Sequence, residues 1–82
     1  MLRQKIAALR LPNPVQEQID DLVRALDTAN TVEDVERESA LQLSFIFGLE
    51  TAKRLRSADI EYLYISFDEA VQERLQTLAD QS

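Results

Sequence analysis

The chain contains no cysteine and no histidine. Without cysteine, no disulfide and no thiolate metal site can staple a small core. Without histidine, the commonest general base, the commonest zinc ligand and the usual pH switch are missing. Neither a Ser-His-Asp nor a Cys-His arrangement can be assembled. Glycine occurs once and proline twice, and turn signals that sparse favour a few long helices over many short strands. There is no glycine-rich phosphate loop, no internal repeat and no low-complexity segment. Apolar runs are short too. The richest, 40–49, is interrupted by Gln42 and Ser44, and a stretch of that length cannot span a bilayer. The first eleven residues mix Arg3, Lys5 and Arg10 with Leu2, Ile6 and Leu9, which is not the uninterrupted apolar core of a signal peptide. The expected location is therefore the cytoplasm.

What is present fits one small globular domain. The 82 residues are 45% hydrophobic and 29% charged, a folded rather than a disordered balance. A chain this short buries only about 60–65% of its unfolded surface, so good helix packing and oligomerisation are the means left to stabilise it. The formal charge is −6. An excess of acid repels phosphate backbones and anionic membranes. It suits a basic partner, or simply keeps the surface soluble.

Hydrophobic periodicity places four helices. Leu2, Ile6 and Leu9 give a short first helix, about 2–11. Pro12-Asn13-Pro14 ends it, because the residue before a proline avoids the α region. Asn13 then reads as an N-cap with Pro14 at the first helical position. The second helix, about 14–29, carries Val15, Ile19, Leu22, Val23, Leu26 and Ala29 on one face. Asn30 with Glu33, or Thr31 with Asp34, can box the start of a third helix, about 32–56. Its acidic residues Glu33, Asp34, Glu36 and Glu38 lie near the positive end of the dipole, and Lys53, Arg54 and Arg56 near the negative end. Glu33–Arg37 and Glu50–Arg54 have the spacing of favourable pairs. Ser57 or Asp59 can cap a fourth helix, about 60–79, with a stripe of Ile60, Leu63, Tyr64, Phe67, Val71, Leu75 and Leu78. The β-branched and aromatic run 60–67 also admits a lone strand, with Ser66 and Glu69 then capping a shorter helix. The fold expected is all-α: three long antiparallel helices preceded by a short one.

The third helix holds the most informative segment. At about 100° per residue, Val32, Val35, Leu43 and Ile46 share one side with Ser39, Phe47 and Ala40 flank it, and Phe45, Leu49 and Ala52 lie round the other. Such a helix is apolar almost all round, and neighbours must enclose it. Either the first helix closes the bundle, or Phe45, Leu49 and Ala52 form a seam with a second protomer. Gly48 in mid-helix costs about 1 kcal/mol relative to alanine, so it marks an expected close helix crossing. Tyr62 and Ile65, on the back of the fourth helix, are either ordinary exposed residues or the other half of a partner patch with Phe45 and Leu49.

Polar candidates have plain explanations beside the functional ones. The pairs Glu17/Asp20 and Glu33/Glu36 resemble the paired acidic residues of helical nucleotide pyrophosphohydrolases, although in reversed order, and carboxylates bind Mg²⁺. They also sit at helix starts, where acid is expected. Lys53-Arg54-Leu55-Arg56 either grips an anion or complements a helix end. No catalytic, cofactor or metal residue is assigned, and the chain is not read as an enzyme.

Ser44-Phe45-Ile46-Phe47-Gly48, with Ala52 and Leu55 after it, resembles a motif of small helical proteins of bacterial genomes and mobile elements. The likeness spans about a dozen residues. It implies a bacterial helix-hairpin accessory protein and carries no activity over. Taken together, these features point to a non-enzymatic helical module: a small regulator, adaptor or secretion-type chaperone. It would bind a protein partner, a basic one on charge grounds, or itself as a homodimer, through Phe45, Leu49, Ala52, Tyr62 and Ile65. The alternative is a nucleic-acid-binding regulator, with Arg3, Lys5 and Arg10 presented together by a dimer, or an acidic DNA mimic.

Overall fold

A computed structural model describes residue 6 and residues 9–81 of the chain. Among them are three helices and no strand: α1 (Asn13–Thr28), α2 (Val32–Thr51) and α3 (Ser57–Gln81). The segment 60–67 is helical throughout, so the strand alternative falls. A lone strand has no partner for its backbone groups, whereas the helix satisfies them internally. The expected first helix falls mostly on residues outside the described ones. Ile6, which is described, is fully buried in the core.

Each boundary has a local cause. The chain enters α1 through Pro12, whose carbonyl accepts from the Gln16 N–H at 2.9 Å, and no side chain caps this end. Asn13 is thus the first helical residue rather than the cap. Pro14 has no N–H to satisfy in that turn, which lowers the demand for one. At the start of α2 the Thr31 hydroxyl accepts from the Asp34 N–H at 3.0 Å, so Thr31 and not Asn30 is the cap. Arg37 pairs with Asp34 at 3.2 Å, one turn back, rather than with Glu33.

The second boundary of α2 departs most from expectation. The helix stops at Thr51, not near Arg56. Lys53 takes φ 54°, its N–H bonds the Glu50 carbonyl, and the Arg54 N–H bonds the Leu49 carbonyl, both at 3.1 Å. These are the two bonds of a Schellman ending, here with a lysine in the left-handed position that glycine usually fills. The reversal brings Leu55 back onto the core. Lys53, Arg54 and Arg56 therefore belong to the turn and not to a helical last turn, and Arg54 is beyond the helical register that would have paired it with Glu50. Helix α3 starts with the Arg56 carbonyl accepting from the Ile60 N–H at 3.0 Å. Neither Ser57 nor Asp59 is the cap residue. Asp59 is instead the buried partner of a two-pronged arginine grip, at 3.1 and 3.3 Å from Arg56.

The helices pack as an up-down-up bundle. Val15 and Ile19 of α1 share a cluster with Ile46 and Leu49 of α2 and with Ile60, Leu63 and Phe67 of α3. Leu26 and Ala29 share a second with Val35 and Val71. Early residues of each helix thus meet late residues of the next. The most extensive packing is between α2 and α3. At about 1.5 Å per residue α3 is about 37 Å long, and it sets the 41 Å long axis of the molecule. At the far end, Arg74 of α3 donates from Nε to the Ala29 carbonyl at 2.9 Å, tying the α1–α2 turn to the third helix and satisfying an end carbonyl.

Candidate interaction surface

The inward side of α2 is Val35, Gln42, Ile46 and Leu49. Three of these are apolar, and the fourth is a glutamine only 1% exposed. Along the bundle Gln42 lies between the Val35 cluster and the Ile46–Leu49 cluster, so the core is two apolar blocks with a polar residue where they meet. Its side-chain nitrogen, Nε2, has no hydrogen-bond partner.

This orientation sorts the candidate contacts. Leu49 is core, at 8% exposure, and Phe45 is half-buried against the same cluster. Ala52 is exposed but caps the helix end rather than lying along a face. Tyr62 and Ile65 are exposed on α3. The five therefore do not form one patch: two pack inward, one is at the turn, and two stand on the outer side of α3. A Cβ built at Gly48 meets nothing within 4 Å, so none of the three described helices crosses closely there.

The residues that do stand out were placed differently by periodicity. Val32, Leu41, Leu43 and Phe47 of α2 are all exposed, Phe47 the most at 63%. Periodicity groups Val32 and Leu43 with Val35 and Ile46, but only the latter two face inward. With Gln42 inside, the apolar residues one position to either side of it, Leu41 and Leu43, must point out.

Val32, Leu43 and Phe47 follow one strip of α2, at spacings that return to the same side of a helix. This strip adjoins α3. At one end Val32 borders an open depression of about 510 Å³ that Leu75, Leu78 and Ala79 also line. At the other end Glu50 is beside the Tyr64 phenol. That phenol is held above its usual value of 10.0, first by partial removal from water and then by the Glu50 carboxylate, whose charge and hydrogen bonding both favour the neutral form. The strip thus meets α3 at both ends, with the exposed Leu43 and Phe47 between them.

Among the described residues no group of three or more carboxylates comes together that could hold a metal ion. The Glu17/Asp20 pair is on α1, where Asp20 accepts from Gln16 at 3.0 Å, and Glu33 and Glu36 are exposed on α2. No described helix is long and apolar enough to cross a membrane. Set against known proteins, the chain matches no family model, no curated protein and no solved structure.

Proposed function

We propose that this chain is a non-enzymatic helical protein-binding module, and that it docks through the outer face of α2 and α3. One observation carries the reading: Phe47, at 63% exposure, stands in line with the exposed Val32 and Leu43 on a strip that adjoins Leu75 and Leu78. Isolated exposed apolar residues are ordinary, but an aligned set rimmed by polar side chains marks an interaction surface. Helix-in-groove docking uses anchors at this kind of spacing. The described core is closed at Leu49 and half-closed at Phe45, so the docking side is centred on Phe47, with Ile65 at its α3 edge and Tyr62 outside it.

The test is selection of helical peptides from a library of random charge and apolar pattern, displayed against the whole chain. Binders should lose affinity with Phe47→Glu and Leu43→Glu and keep it with Gln18→Glu, on the exposed side of α1. Because Phe47 is on the surface, Phe47→Glu should move stability by no more than about 0.5 kcal/mol. A selection that yields only binders indifferent to Phe47→Glu would refute this choice of face. Light scattering over a range of concentrations reads self-association through the same face, and a homodimer lost with Phe47→Glu would also satisfy the reading.

A further inference from the structure

The charges along this face are of one sign. On the α2 strip that carries Val32, Leu43 and Phe47, the ionisable residues are Glu36 and Glu50. On the facing strip of α3, Glu61 and Asp68 lead down to Leu75 at intervals of seven, which keep them on one side of the helix. No lysine or arginine occupies either strip. The described cations of the three helices lie elsewhere: Arg24 pairs with Asp21 on α1, Arg37 with Asp34, and Arg74 with the Ala29 carbonyl. Glu36, Glu61 and Asp68 make no ion pair with any described residue. Along the two helices the face thus carries an apolar line and carboxylates with no cation among the described residues of either strip, and Lys53, Arg54 and Arg56 stand in the turn at its end.

We infer that the occupant of this face is a basic amphipathic helix of another protein, its apolar side on Val32, Leu43 and Phe47 and its lysines or arginines against Glu36, Glu50, Glu61 and Asp68. The inference rests on the docking reading above and adds the partner's chemistry. A second copy of the chain fits poorly, since a two-fold contact would set carboxylates against carboxylates, and like charges juxtaposed across an interface are costly. The strip from Val32 to Glu50 is about 27 Å long, the length of a helix of about 18 residues. Opposite charge also brings such a partner in faster and fixes its register.

The experiment uses the full chain and three synthetic helical peptides with one apolar pattern and one length, their polar positions filled by lysine, glutamine or glutamate. Affinity is measured by calorimetry at two salt concentrations, and amide shifts map the site. The lysine peptide should bind with shifts on Val32–Glu50 and Tyr64–Leu78. It should weaken by about tenfold or more in Glu36→Lys/Asp68→Lys, in Phe47→Ser and at the higher salt. In the charge-reversed variant the glutamate peptide should become the better ligand. Lysine-peptide binding that survives Phe47→Ser would be bulk charge attraction and would overturn the inference, as would shifts centred on the acidic surface of α1. If the glutamine peptide binds as well as the lysine one and is lost with Phe47→Ser, the docking face stands and the basic partner falls. A concentration-dependent dimer abolished by Phe47→Ser likewise keeps the face and overturns the basic helix. If no peptide binds and the chain stays monomeric, both fail.

Discussion

Replacing Gln42 with methionine should make the protein more stable. The glutamine side chain is 1% exposed and its Nε2 lacks a partner. Burying a donor without a bond costs about 1–3 kcal/mol. Methionine has nearly the same length and is unbranched, so it fills the same space between the two apolar clusters, with repacking cost under about 1.5 kcal/mol. Removing the donor while keeping the volume should therefore gain about 1–2 kcal/mol. In a domain of this size that raises the melting temperature by about 5–15 °C. Urea unfolding followed by circular dichroism should show a higher midpoint with an unchanged slope, since the exposed surface does not change. Gln42→Ala is the control. It removes the donor too but leaves a cavity, which costs about 2–5 kcal/mol for a side chain of this size, so it should destabilise. A Gln42→Met midpoint at or below that of the parent protein would show that the amide is bonded and that the polar layer is a stabilising contact.

Three further changes test local features. Lys53→Gly should stabilise by about 0.5–1 kcal/mol, because the left-handed backbone there strains a side-chain-bearing residue and not glycine; an equal loss would show that the lysine side chain itself holds the turn. Arg74→Met should cost about 1–2 kcal/mol by stranding the Ala29 carbonyl while keeping most of the aliphatic packing, and no change in the thermal midpoint would mean that water replaces the guanidinium at no loss. Tyr64 can be titrated alone by its phenolate absorbance in Tyr62→Phe. Its midpoint should lie above 10.0 and move down with Glu50→Gln. Because the folded value is raised, this phenol's contribution to stability is full below pH 10.0 and is lost as pH climbs through the folded value. A midpoint unmoved by Glu50→Gln would leave partial desolvation as the only cause.

How much of this was legible in the sequence differs by helix. Helix α1 is sharply amphipathic, and Val15, Ile19, Val23 and Leu26 are buried as their spacing requires. In α3 the buried Ile60, Leu63, Phe67 and Val71 also follow their spacing, although the helix as a whole is only weakly amphipathic and buries Asp59 and Ser66 as well. Helix α2 is only weakly amphipathic, because apolar residues stand on nearly every side of it between positions 40 and 49. Periodicity then has no single direction to find, and the side that faces in is decided by the neighbours. The inward set Val35, Gln42, Ile46 and Leu49 has the sevens, fours and threes of a packed seam, but a glutamine in the second place hid it. The end of α2 was illegible for a related reason. The left-handed residue that reverses the chain is a lysine, and the one glycine, Gly48, lies inside the helix with open space beside it. The surface is partly legible: the 44–48 segment stands out, yet the side marked by Val32, Val35, Leu43 and Ile46 is centred about a seventh of a turn from the true inward side, enough to favour Phe45 over Phe47 as the outer residue.

The two departures from ordinary patterning fall on one helix and on opposite sides of it. An apolar side chain the size of Phe47, if buried, contributes about 1.5–3 kcal/mol, and Gln42 forfeits about 1–3 kcal/mol where it sits. Against a total stability of about 5–15 kcal/mol, neither is small for 82 residues. Helix α3 has a milder inversion, with Ser66 buried beside an exposed Ile65, but only α2 combines a buried amide nitrogen without a partner and an apolar side chain as exposed as Phe47, and local conflicts in an otherwise consistent sequence concentrate at functional surfaces. The double variant Gln42→Met/Phe47→Gln separates the two roles. It should keep the stability gain of the first change, because Phe47 is largely in water, and should lose affinity for a helical ligand of the outer face. If instead it binds as well as the parent chain, α2 does not carry the docking side. If it loses stability, Phe47 packs in solution on something within the chain and is not a free anchor.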